Sequence, residues 1–485
     1  MDFTPEQIKV IDSRNQNLIV SAAAGSGKTA VLTERIVKKI CEDENLNVDR
    51  MLIVTFTNSA AREMKERIGK KLREKLAEKP DDAHLRKQIA ILHTAQITTI
   101  DSFCLFILKN HFEEIGVDPS FAIGSEGEIA SISEEAFDEV LEEAFKEGKE
   151  EFLSLVEMYA PKGKFNKFYE LVKGIATKVD SAPYPYDTLQ NYIKEDIGNV
   201  WELPFVKFSL DYENEFLKEA QDIYSEVKKI AEGTFLNKHI EEADYAIAFI
   251  DDLLSMDIRG RIAKYPEFKK VTLNYGKNLS DEEEAFKEYA NSVNDKARGI
   301  IDKYKKKYKD LNEADYEEAV KEGYAVTNSL LRFVMSYMKL FDDKKREKGI
   351  ISFSDMEHMA LEILVKKEGE TIVPTPTAIR YREYFDEVMI DEYQDSNDVQ
   401  ETILAAVSKH EELTGNRFMV GDIKQSIYRF RLAKPEIFRD KCEEYSKEGE
   451  RDRKIILSNN FRSRKEVIDA VNFVFERCMI KKIGG

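Results

Sequence analysis

The chain has 485 residues, more than a single hydrophobic core usually organises, so we expect two or more domains. Hydrophobic residues make up 42% and charged residues 34% of the sequence, which is typical of a soluble globular protein with many surface helices. The formal net charge of −18 argues against recognition of nucleic acid through one large basic face, so any such contact has to use a local groove with stacking groups.

The cysteines and the apolar runs indicate the compartment. The four cysteines lie far apart and form no Cys-x-x-Cys pair, so no zinc or iron–sulfur motif is visible. This usage fits a reducing cytoplasm. The first residues contain no apolar signal region, and no apolar run is long enough to span a membrane. We therefore expect a cytoplasmic protein that makes no membrane contact.

The first predicted element is a helix that begins at Pro5. Thr4 and Gln7 have the spacing of a capping box, and proline is favoured at the first helical position. Gln7 has a second interpretation, because an amide side chain can form a bidentate pair with N6 and N7 of adenine. The residues by themselves favour the structural interpretation.

A predicted strand over residues 17–21 leads into a glycine-containing loop and then a helical pattern. Residues 22–29 fit the phosphate-binding loop, except that Ala22 stands in place of its first glycine. Gly25 and Gly27 permit the backbone bends that point N–H groups at a phosphate. The N-terminus of the following helix adds positive charge at the same place.

The residues at the end of this loop are candidates for nucleotide and metal binding. We expect Lys28 to reach the β- and γ-phosphates of a nucleotide and the Thr29 hydroxyl to bind Mg²⁺. The alternative is a chance glycine-rich turn between a strand and a helix. An intact Gly-Lys-Thr in a strand–loop–helix context disfavours that alternative.

Two more apolar runs follow, over residues 51–57 and 96–100, and each leads into a helical pattern. Strands that alternate with helices predict βαβ units and a parallel sheet. Phe56, Thr57 and Asn58 end the second strand, at the carboxyl edge where open α/β sheets bind ligands.

Between residues 121 and 348 charged helical patterns dominate, and convincing buried strands are absent. We interpret this region as a helical insertion whose charged runs are mostly solvated helix faces. Strands return at residues 385–391, 417–422 and 454–460 and should complete the sheet. The predicted fold class is therefore α/β, a P-loop domain with a parallel sheet interrupted by a large, mainly helical insertion.

The strand over residues 385–391 ends in two carboxylates. Asp391 lies where the apolar run ends and is placed to hold Mg²⁺. Glu392 follows and has the chemistry of a general base that deprotonates an attacking water. A helix cap or turn carboxylate is the alternative, which the phosphate-binding loop in the same chain disfavours.

Residues 420–431 interleave aromatic and cationic side chains after a further strand. Tyr428, Arg429, Phe430 and Arg431 have the chemistry to stack on bases and pair with phosphates. A surface turn with Phe430 in the core is an equally good interpretation of this stretch in isolation.

These stretches together resemble superfamily 1A DNA helicases of the UvrD/RecB type. The matching motifs occur in the family's order: FTPEQ (3–7), AAAGSGKTAVLTERI (22–36), LIVTFTNSAAREMKERI (52–68), TTIDSFC (98–104), IDEYQDSN (390–397), VGDIKQSIYRFR (420–431) and NNFRS (459–463). Alanine at the first loop position is normal in this group. The large insertion and the forms SAAAGSGKTA and TIDSFC resemble most the AddA family of bacterial AddAB helicase–nucleases.

The resemblance implies a RecA-like fold, ATP and Mg²⁺ as cofactors, and roles for residues at the matching positions. The residues that it implies for ATP binding are Gln7, Ala24, Gly25, Ser26, Gly27, Lys28, Thr29, Arg35 and Phe461. The catalytic residues that it implies are Lys28, Asp391, Glu392, Gln425 and Arg462, with the metal on Thr29 and Asp391. The residues that it implies for the DNA path are Thr55, Phe56, Asn58, Ser102 and Phe430.

Some of these roles are specific. Phe461 would stack on the base, Arg462 would contact the γ-phosphate, and Gln425 would sense that phosphate and couple it to DNA. Asp101 stands where repair helicases usually carry histidine, which leaves a DNA contact at that position open.

The resemblance also implies a domain division. Residues 1–115 and 365–460 would form the first motor domain, 116–364 an insertion called 1B, and 461–485 the start of a second motor domain. The later motifs V and VI and a carboxylate–lysine nuclease signature are not recognisable in this sequence. We therefore expect the N-terminal part of a longer protein, with little ATP turnover by itself.

The function implied is an ATP-dependent DNA helicase that acts on single- and double-stranded DNA in double-strand break processing and recombinational repair, with an AddB-like protein as its partner. One alternative is a UvrD-like repair helicase. Another is a module whose insertion mainly docks a partner. A P-loop enzyme acting on a small molecule is a weaker alternative, because the ordered motif set argues against it.

Overall fold

The computed structural model describes residues 3–263, 268, 271–273, 279–412, 414–447 and 449–479. The chain forms two compact units. The first comprises Met1–Lys146, Lys164–Gln190 and Phe333–Gly485, and the second comprises Glu147–Gly163 and Asn191–Arg332.

The first unit is organised by a six-stranded parallel sheet. The strands formed within the described residues are β1 (Asn17–Ala22), β2 (Met51–Thr55), β3 (Gln96–Thr99), β4 (Ala122–Ile123), β5 (Ile350–Ile351), β6 (Val365–Glu368), β7 (Thr371–Pro374), β8 (Glu387–Ile390), β9 (Arg417–Gly421) and β10 (Asp452–Leu457). The sheet has the order β10-β1-β9-β8-β2-β3, and every neighbouring pair in it is parallel. The predicted parallel α/β sheet is confirmed.

Apolar side chains cover both faces of this sheet. Strands β2, β8 and β9 are buried along their whole length. Because successive side chains of a strand point to opposite faces, Leu52 and Val54 lie in one apolar cluster and Ile53 lies in the other. An all-parallel sheet needs helices on both faces, and the two clusters are completed by helical residues.

Most of the remaining chain is helical. The helices formed within the described residues are α1 (Pro5–Asp12), α2 (Lys28–Glu42), α3 (Asn58–Glu78), α4 (Ala83–Ile91), α5 (Ile100–His111), α6 (Glu126–Glu147), α7 (Glu150–Tyr159), α8 (Phe165–Val179), α9 (Pro185–Tyr192), α10 (Pro204–Ala231), α11 (Asn237–Leu254), α12 (Ile258–Ala263), α13 (Asp281–Tyr308), α14 (Glu313–Glu347), α15 (Phe353–Leu364), α16 (Pro376–Tyr384), α17 (Asp398–Ala406), α18 (Pro435–Glu444) and α19 (Lys465–Cys478). Among the described residues, no helix combines the length and the apolar character needed to cross a lipid bilayer.

The second unit contains the long helices α10, α11 and α13. Their inward faces bury small and aromatic side chains, among them Ala220, Tyr224 and Ala246. Glu213 and Arg261 form a buried ion pair at 3.0 Å within this unit. The expected mainly helical insertion is therefore present.

The structure differs from the expectations at several boundaries. The sequence showed no strand between residues 121 and 348, yet Ala122–Ile123 pairs in parallel with Ile350–Ile351. A two-residue strand carries no periodic pattern, so sequence periodicity does not reveal it. Strand β10 ends at Leu457 and not at residue 460, because the following residues turn toward the loop after β1.

The division into units also differs from the predicted domain boundaries. Residues 116–146, 164–190 and 333–364 belong to the unit that contains the sheet. Helix α15 shows why, because its Met356 and Leu361 share an apolar cluster with Phe103 of α5. The four-part domain division stays a prediction.

Candidate nucleotide and nucleic-acid sites

Four loops meet at the carboxyl edge of the sheet in the first unit. They follow β1, β8, β9 and β10, which run parallel and therefore end on the same side. This edge is where open α/β sheets bind ligands. Most residues that the motifs single out lie in these loops.

The loop after β1 has the backbone that a phosphate-binding loop requires. Gly25 and Gly27 adopt left-handed conformations, with φ of 71° and 83°. A Cβ at Gly25 would also lie 2.7 Å from Asn460 Oδ1 and 2.9 Å from the Cβ of Arg462. Position 25 therefore accepts only glycine without strain.

Helix α2 presents an uncapped N-terminus to this loop. Gly27 is its N-cap residue and makes no side-chain capping bond, whereas Thr4, Thr57 and Thr99 cap α1, α3 and α5. The first N–H groups of a helix have no partner within the helix. Those of α2 are thus left for an external acceptor, which favours an anion.

Lys28 contacts the carboxylate that follows β8. Its Nζ donates to Glu392 Oε2 at 2.9 Å. Glu392 has a left-handed backbone, with φ of 54°, which is uncommon for a residue other than glycine. The fold therefore brings the predicted phosphate-binding lysine and the predicted general base into direct contact.

Asp391 directly precedes Glu392 and is half-buried. Its N–H donates to the carbonyl of Val54 at 2.9 Å, which continues the pairing of β8 with β2. Burial, with a smaller contribution from the charge of Glu392, raises the pKa of Asp391 to about 6. Burial and Glu392 also raise the pKa of Asp395 to about 6. The edge of the sheet thus concentrates negative charge that one lysine only partly compensates.

Gln7 and Phe461 flank a shallow pocket beside the loop after β1. The predicted capping box is present, because Gln7 N–H donates to Thr4 Oγ1 at 3.2 Å and Thr4 N–H donates to Gln7 Oε1 at 2.9 Å. Gln7 Nε2 also donates to the carbonyl of Ser26 at 3.0 Å. Phe461 N–H donates to the carbonyl of Gly25 at 2.8 Å, and its side chain is exposed at the pocket. Gln7, Ser26 and Phe461 are therefore brought together.

Arg35 is not brought to this pocket. Its guanidinium is buried and donates to the carbonyls of Val10 and Ser13 at 2.7 and 2.6 Å and to Glu387 Oε1 at 2.7 Å. It also lies over the ring of Phe418, 5.2 Å from the centroid. A contact between Arg35 and a nucleotide would require these bonds to be replaced. Glu387, a charged residue inside a buried apolar strand, is the sequence signal for this ion pair.

Gln425 and Arg462 occupy the same edge in different ways. Gln425 Nε2 donates to Asp422 Oδ2 at 2.6 Å, and Asp422 N–H donates to Gln394 Oε1 at 3.0 Å. Arg462 is exposed, and its N–H donates to Asn460 Oδ1 at 2.9 Å. Gln425 is therefore connected to the residues after β8, while the Arg462 guanidinium faces solvent.

An aromatic cluster is formed by Phe56, Tyr428, Phe430 and Arg431. The rings of Phe56 and Tyr428 have centroids 4.3 Å apart, and those of Tyr428 and Phe430 are 5.8 Å apart. The Arg431 guanidinium lies 5.5 to 6.0 Å from all three ring centroids. Phe430 is 76% exposed, so its alternative interpretation as a core residue is wrong.

The other predicted DNA-path residues differ in their access to solvent. Thr55 is buried, and its hydroxyl donates to the carbonyl of Thr57 at 3.1 Å. Asn58 is exposed at the start of α3. Ser102 is half-buried, with its hydroxyl 2.9 Å from Thr99 Oγ1. Burial raises the pKa of the neighbouring Asp101.

Two residues of this edge were missed by the candidate set. Gln394 donates to two carboxylates, and Asn460 donates from Nδ2 to the carbonyl of Ala24 at 2.9 Å. Both lie inside the matching motifs, and a polar amide a few residues after a strand end was the available signal for Gln394.

The sequence of the chain also matches known proteins. Residues 3–446 match the model of the UvrD/REP helicase N-terminal domain. The chain belongs to the UvrD/REP helicase family. The predicted resemblance to UvrD-type helicases is therefore confirmed.

Individual relatives share one name, that of the A subunit of an ATP-dependent helicase/nuclease. The chain is 40% identical over 499 residues to the relative of this name from Lachnoclostridium phytofermentans, and the match covers 100% of the chain and 36% of that relative. It is 40% identical over 512 residues to the relative of the same name from Clostridioides difficile, covering 99% of the chain and 39% of the relative. The chain thus spans less than two fifths of the length of these curated relatives.

Proposed function

We propose that this chain supplies the ATP-binding motor domain of a DNA helicase, within a longer protein similar to these helicase/nucleases. The observation that carries the proposal is the contact of 2.9 Å between Lys28 Nζ and Glu392 Oε2 at the edge of the sheet. A phosphate-binding lysine beside a strand-end carboxylate is the arrangement that ATP hydrolysis needs.

Mg²⁺ fits the oxygen donors at this edge. The Thr29 hydroxyl and the Asp391 carboxylate would hold it, with phosphate oxygens and water as further ligands. A bound cation would offset the burial and the Glu392 charge that raise the pKa of Asp391, and would so favour its ionised carboxylate. When bound, the metal would neutralise charge on the phosphates.

The residues of the chain would then have separate roles in ATP hydrolysis. Lys28 would leave Glu392 for the phosphates, which frees the carboxylate to accept a proton from water. The water oxygen would form a bond to the γ-phosphorus while the bond to the β–γ bridging oxygen breaks, with its electron pair leaving on ADP. Arg462 and Gln425 would contact the γ-phosphate, and the Gln7 amide and Phe461 ring would hold the adenine.

The aromatic cluster would bind single-stranded DNA. Bases stacked on Phe56 and Phe430 would contribute about 1–3 kcal/mol each, independent of sequence. The Arg431 guanidinium at 5.5 to 6.0 Å from the rings adds a local positive charge, which suits a chain with a net charge of −18. Gln425 and Phe430 share one short segment, so a shift at the γ-phosphate would move the stacking residues.

The wider role follows from the resemblance and from the relatives' names. We infer a cytoplasmic protein that processes double-stranded DNA ends for recombinational repair together with an AddB-like partner. The relatives are named as components of a helicase/nuclease, which supports a complex of this kind.

The experiment is fluorescence anisotropy of a labelled oligo-dT with this chain, with and without a non-hydrolysable ATP analogue. We expect binding that changes with nucleotide and weakens at least about tenfold in the variant Phe56→Ala/Phe430→Ala, since two stacking rings are lost. Phe208→Ala is the matched control, because Phe208 is an exposed ring on α10 outside the cluster. Equal binding by the wild type and the double variant would contradict the proposed DNA path.

A second candidate function is docking of a partner protein through the insertion. Helix α10 exposes four aromatic side chains at helical spacing, Phe205, Phe208, Tyr212 and Phe216. Exposed apolar patches of this kind often mark protein interfaces. Loss of partner binding in Phe208→Ser/Tyr212→Ser, with unchanged DNA binding, would support this function.

A further inference from the structure

Gln394 is a buried residue that joins the loops after β8 and β9. Its Nε2 donates to Glu392 Oε2 and to Asp395 Oδ2, each at 3.0 Å. Its Oε1 accepts from the N–H of Asp422 at 3.0 Å. One amide therefore joins three residues of the catalytic edge.

The amide has little freedom to move. Gln394 is 1% exposed. A Cβ at Gly421 would lie 2.4 Å from Gln394 Oε1 and 3.3 Å from its backbone nitrogen. The neighbouring strand thus packs directly against the side chain, and the absence of a side chain at position 421 leaves room for it.

No other side chain provides the same bonds. Two carboxylates need donors and a backbone N–H needs an acceptor, and a glutamine amide supplies two donors and an acceptor in one plane. Glutamate would present no donor when ionised, and an apolar side chain would leave the Asp422 N–H without a partner. The chemistry of the contact is therefore specific to glutamine.

A bound nucleotide would affect the two hydrogen-bond donors to Glu392 differently. Lys28 and Gln394 both donate to Oε2 of this carboxylate. In the proposed hydrolysis Lys28 turns to the phosphates, while the bond from Gln394 does not compete with any phosphate group. Gln394 is then the donor that keeps Glu392 in place when its carboxylate has to accept a proton.

We propose that Gln394 is a positioning residue that holds the general base Glu392 and links it through Asp422 to the γ-phosphate sensor Gln425. This inference rests on the proposed ATP hydrolysis. It assigns to Gln394 no contact with substrate.

The test compares ATP turnover and nucleotide affinity in the full-length protein that contains this chain. Gln394→Met removes both donors at similar volume, and Gln394→Glu keeps an acceptor for the Asp422 N–H but removes the donors. We expect kcat to fall by about 10- to 100-fold in both variants, which is part of the roughly 10²–10⁴-fold that general-base catalysis contributes. The Kd of a fluorescent ATP analogue should change less than about threefold, because Lys28 and the loop backbone are unchanged.

The matched control is Gln88→Met. Gln88 is fully buried, its Oε1 accepts from Val48 N–H at 2.8 Å and its Nε2 donates to Asn47 Oδ1 at 2.9 Å. It therefore loses equivalent bonds away from the catalytic edge. We expect lower thermal stability in this variant and an unchanged kcat.

A double-mutant cycle separates positioning from general damage. In a Glu392→Gln background, adding Gln394→Met should lower the residual turnover less than about twofold, since the group that it positions is already gone. A full and additive loss in that background, or wild-type kcat in either Gln394 variant, would overturn the inference. A wild-type protein that binds no ATP would instead refute the proposed function.

Discussion

Lys28 Nζ lies 2.9 Å from Glu392 Oε2, although the two residues are 364 positions apart in the chain. The contact holds the predicted phosphate-binding lysine and the strand-end carboxylate together, with the lysine side chain largely buried. In the proposed hydrolysis an incoming phosphate would compete with Glu392 for the same ammonium group. Occupation of the loop and release of the carboxylate would thereby be linked.

Removal of this ammonium should stop ATP turnover. We expect Lys28→Ala to lower kcat of the full-length protein by at least about 10²-fold, because a preorganised positive charge at the phosphates is lost. A coupled ATPase assay measures it. Lys38→Ala on the same helix is the control, since Lys38 pairs with the surface carboxylates of Asp12 and Glu42. Retained turnover in Lys28→Ala would refute the role of the loop.

A methyl group at Gly25 should damage the loop itself. Gly25→Ala forces a left-handed alanine with its Cβ 2.7 Å from Asn460 Oδ1, so we expect a loss of about 1–3 kcal/mol in the free energy of unfolding. Urea denaturation measures this loss. We also expect the variant to bind nucleotide more weakly. Gly174→Ala is the matched control, because this helical glycine has open space around it and alanine is favoured in helices by about 1 kcal/mol. Equal stability of the two variants would contradict the strained loop.

The two interpretations of Gln7 can be separated by two substitutions. Thr4→Ala removes the cap and should cost about 1 kcal/mol of stability while leaving the preference for ATP over GTP intact. Gln7→Ala should reduce that preference by roughly 10- to 100-fold, the value of two hydrogen bonds to adenine. Competition binding with both nucleotides measures the preference. An unchanged preference in Gln7→Ala would leave Gln7 with its structural role alone.

A buried ion pair should make stability depend on pH. Arg417 Nη1 donates to Glu401 Oε1 at 2.9 Å, and Tyr393 Oη donates to Glu401 Oε2 at 2.5 Å. Burial alone would raise the pKa of Glu401, but the charges of Arg417 and Lys441 outweigh it and lower this pKa to about 2. Because the pKa of Glu401 is lower in the folded state than its value of 4.5 in the unfolded chain, the ionised carboxylate stabilises the folded state at pH values above 4.5. This stabilisation is lost as pH falls toward 2.

The variant Glu401→Gln isolates this contribution. At pH 7 its free energy of unfolding should be about 3–5 kcal/mol lower than that of the wild type, because Arg417 stays buried without its partner charge. The difference should shrink between pH 4.5 and pH 2, as the wild-type carboxylate becomes protonated. Urea denaturation of both proteins measures this difference. It is carried out at neutral pH, at one pH just above 4.5 and at one pH between 4.5 and 2. A difference that is the same at all three values would contradict the lowered pKa.

Several elements were readable from short stretches of sequence. The capping box of Thr4 and Gln7, the strand–loop–helix around Lys28 and the three later strands depend on contacts within a few residues or on apolar runs. The contact of Arg35 with Glu387 and that of Phe56 with Tyr428 were not readable, because each joins residues hundreds of positions apart.

The sequence by itself determined the glycine-containing loop between β1 and α2, the alternation of strands and helices, and the helicase family, since left-handed glycines, caps and ordered motifs are local properties. The tertiary structure decided the strand order β10-β1-β9-β8-β2-β3, the contact of Lys28 with Glu392 and the position of Gln394 between two loops. The physical reason is that sheet order is set by how apolar faces and helices pack over the whole unit. Only that packing brings strand ends that are distant in sequence to one edge.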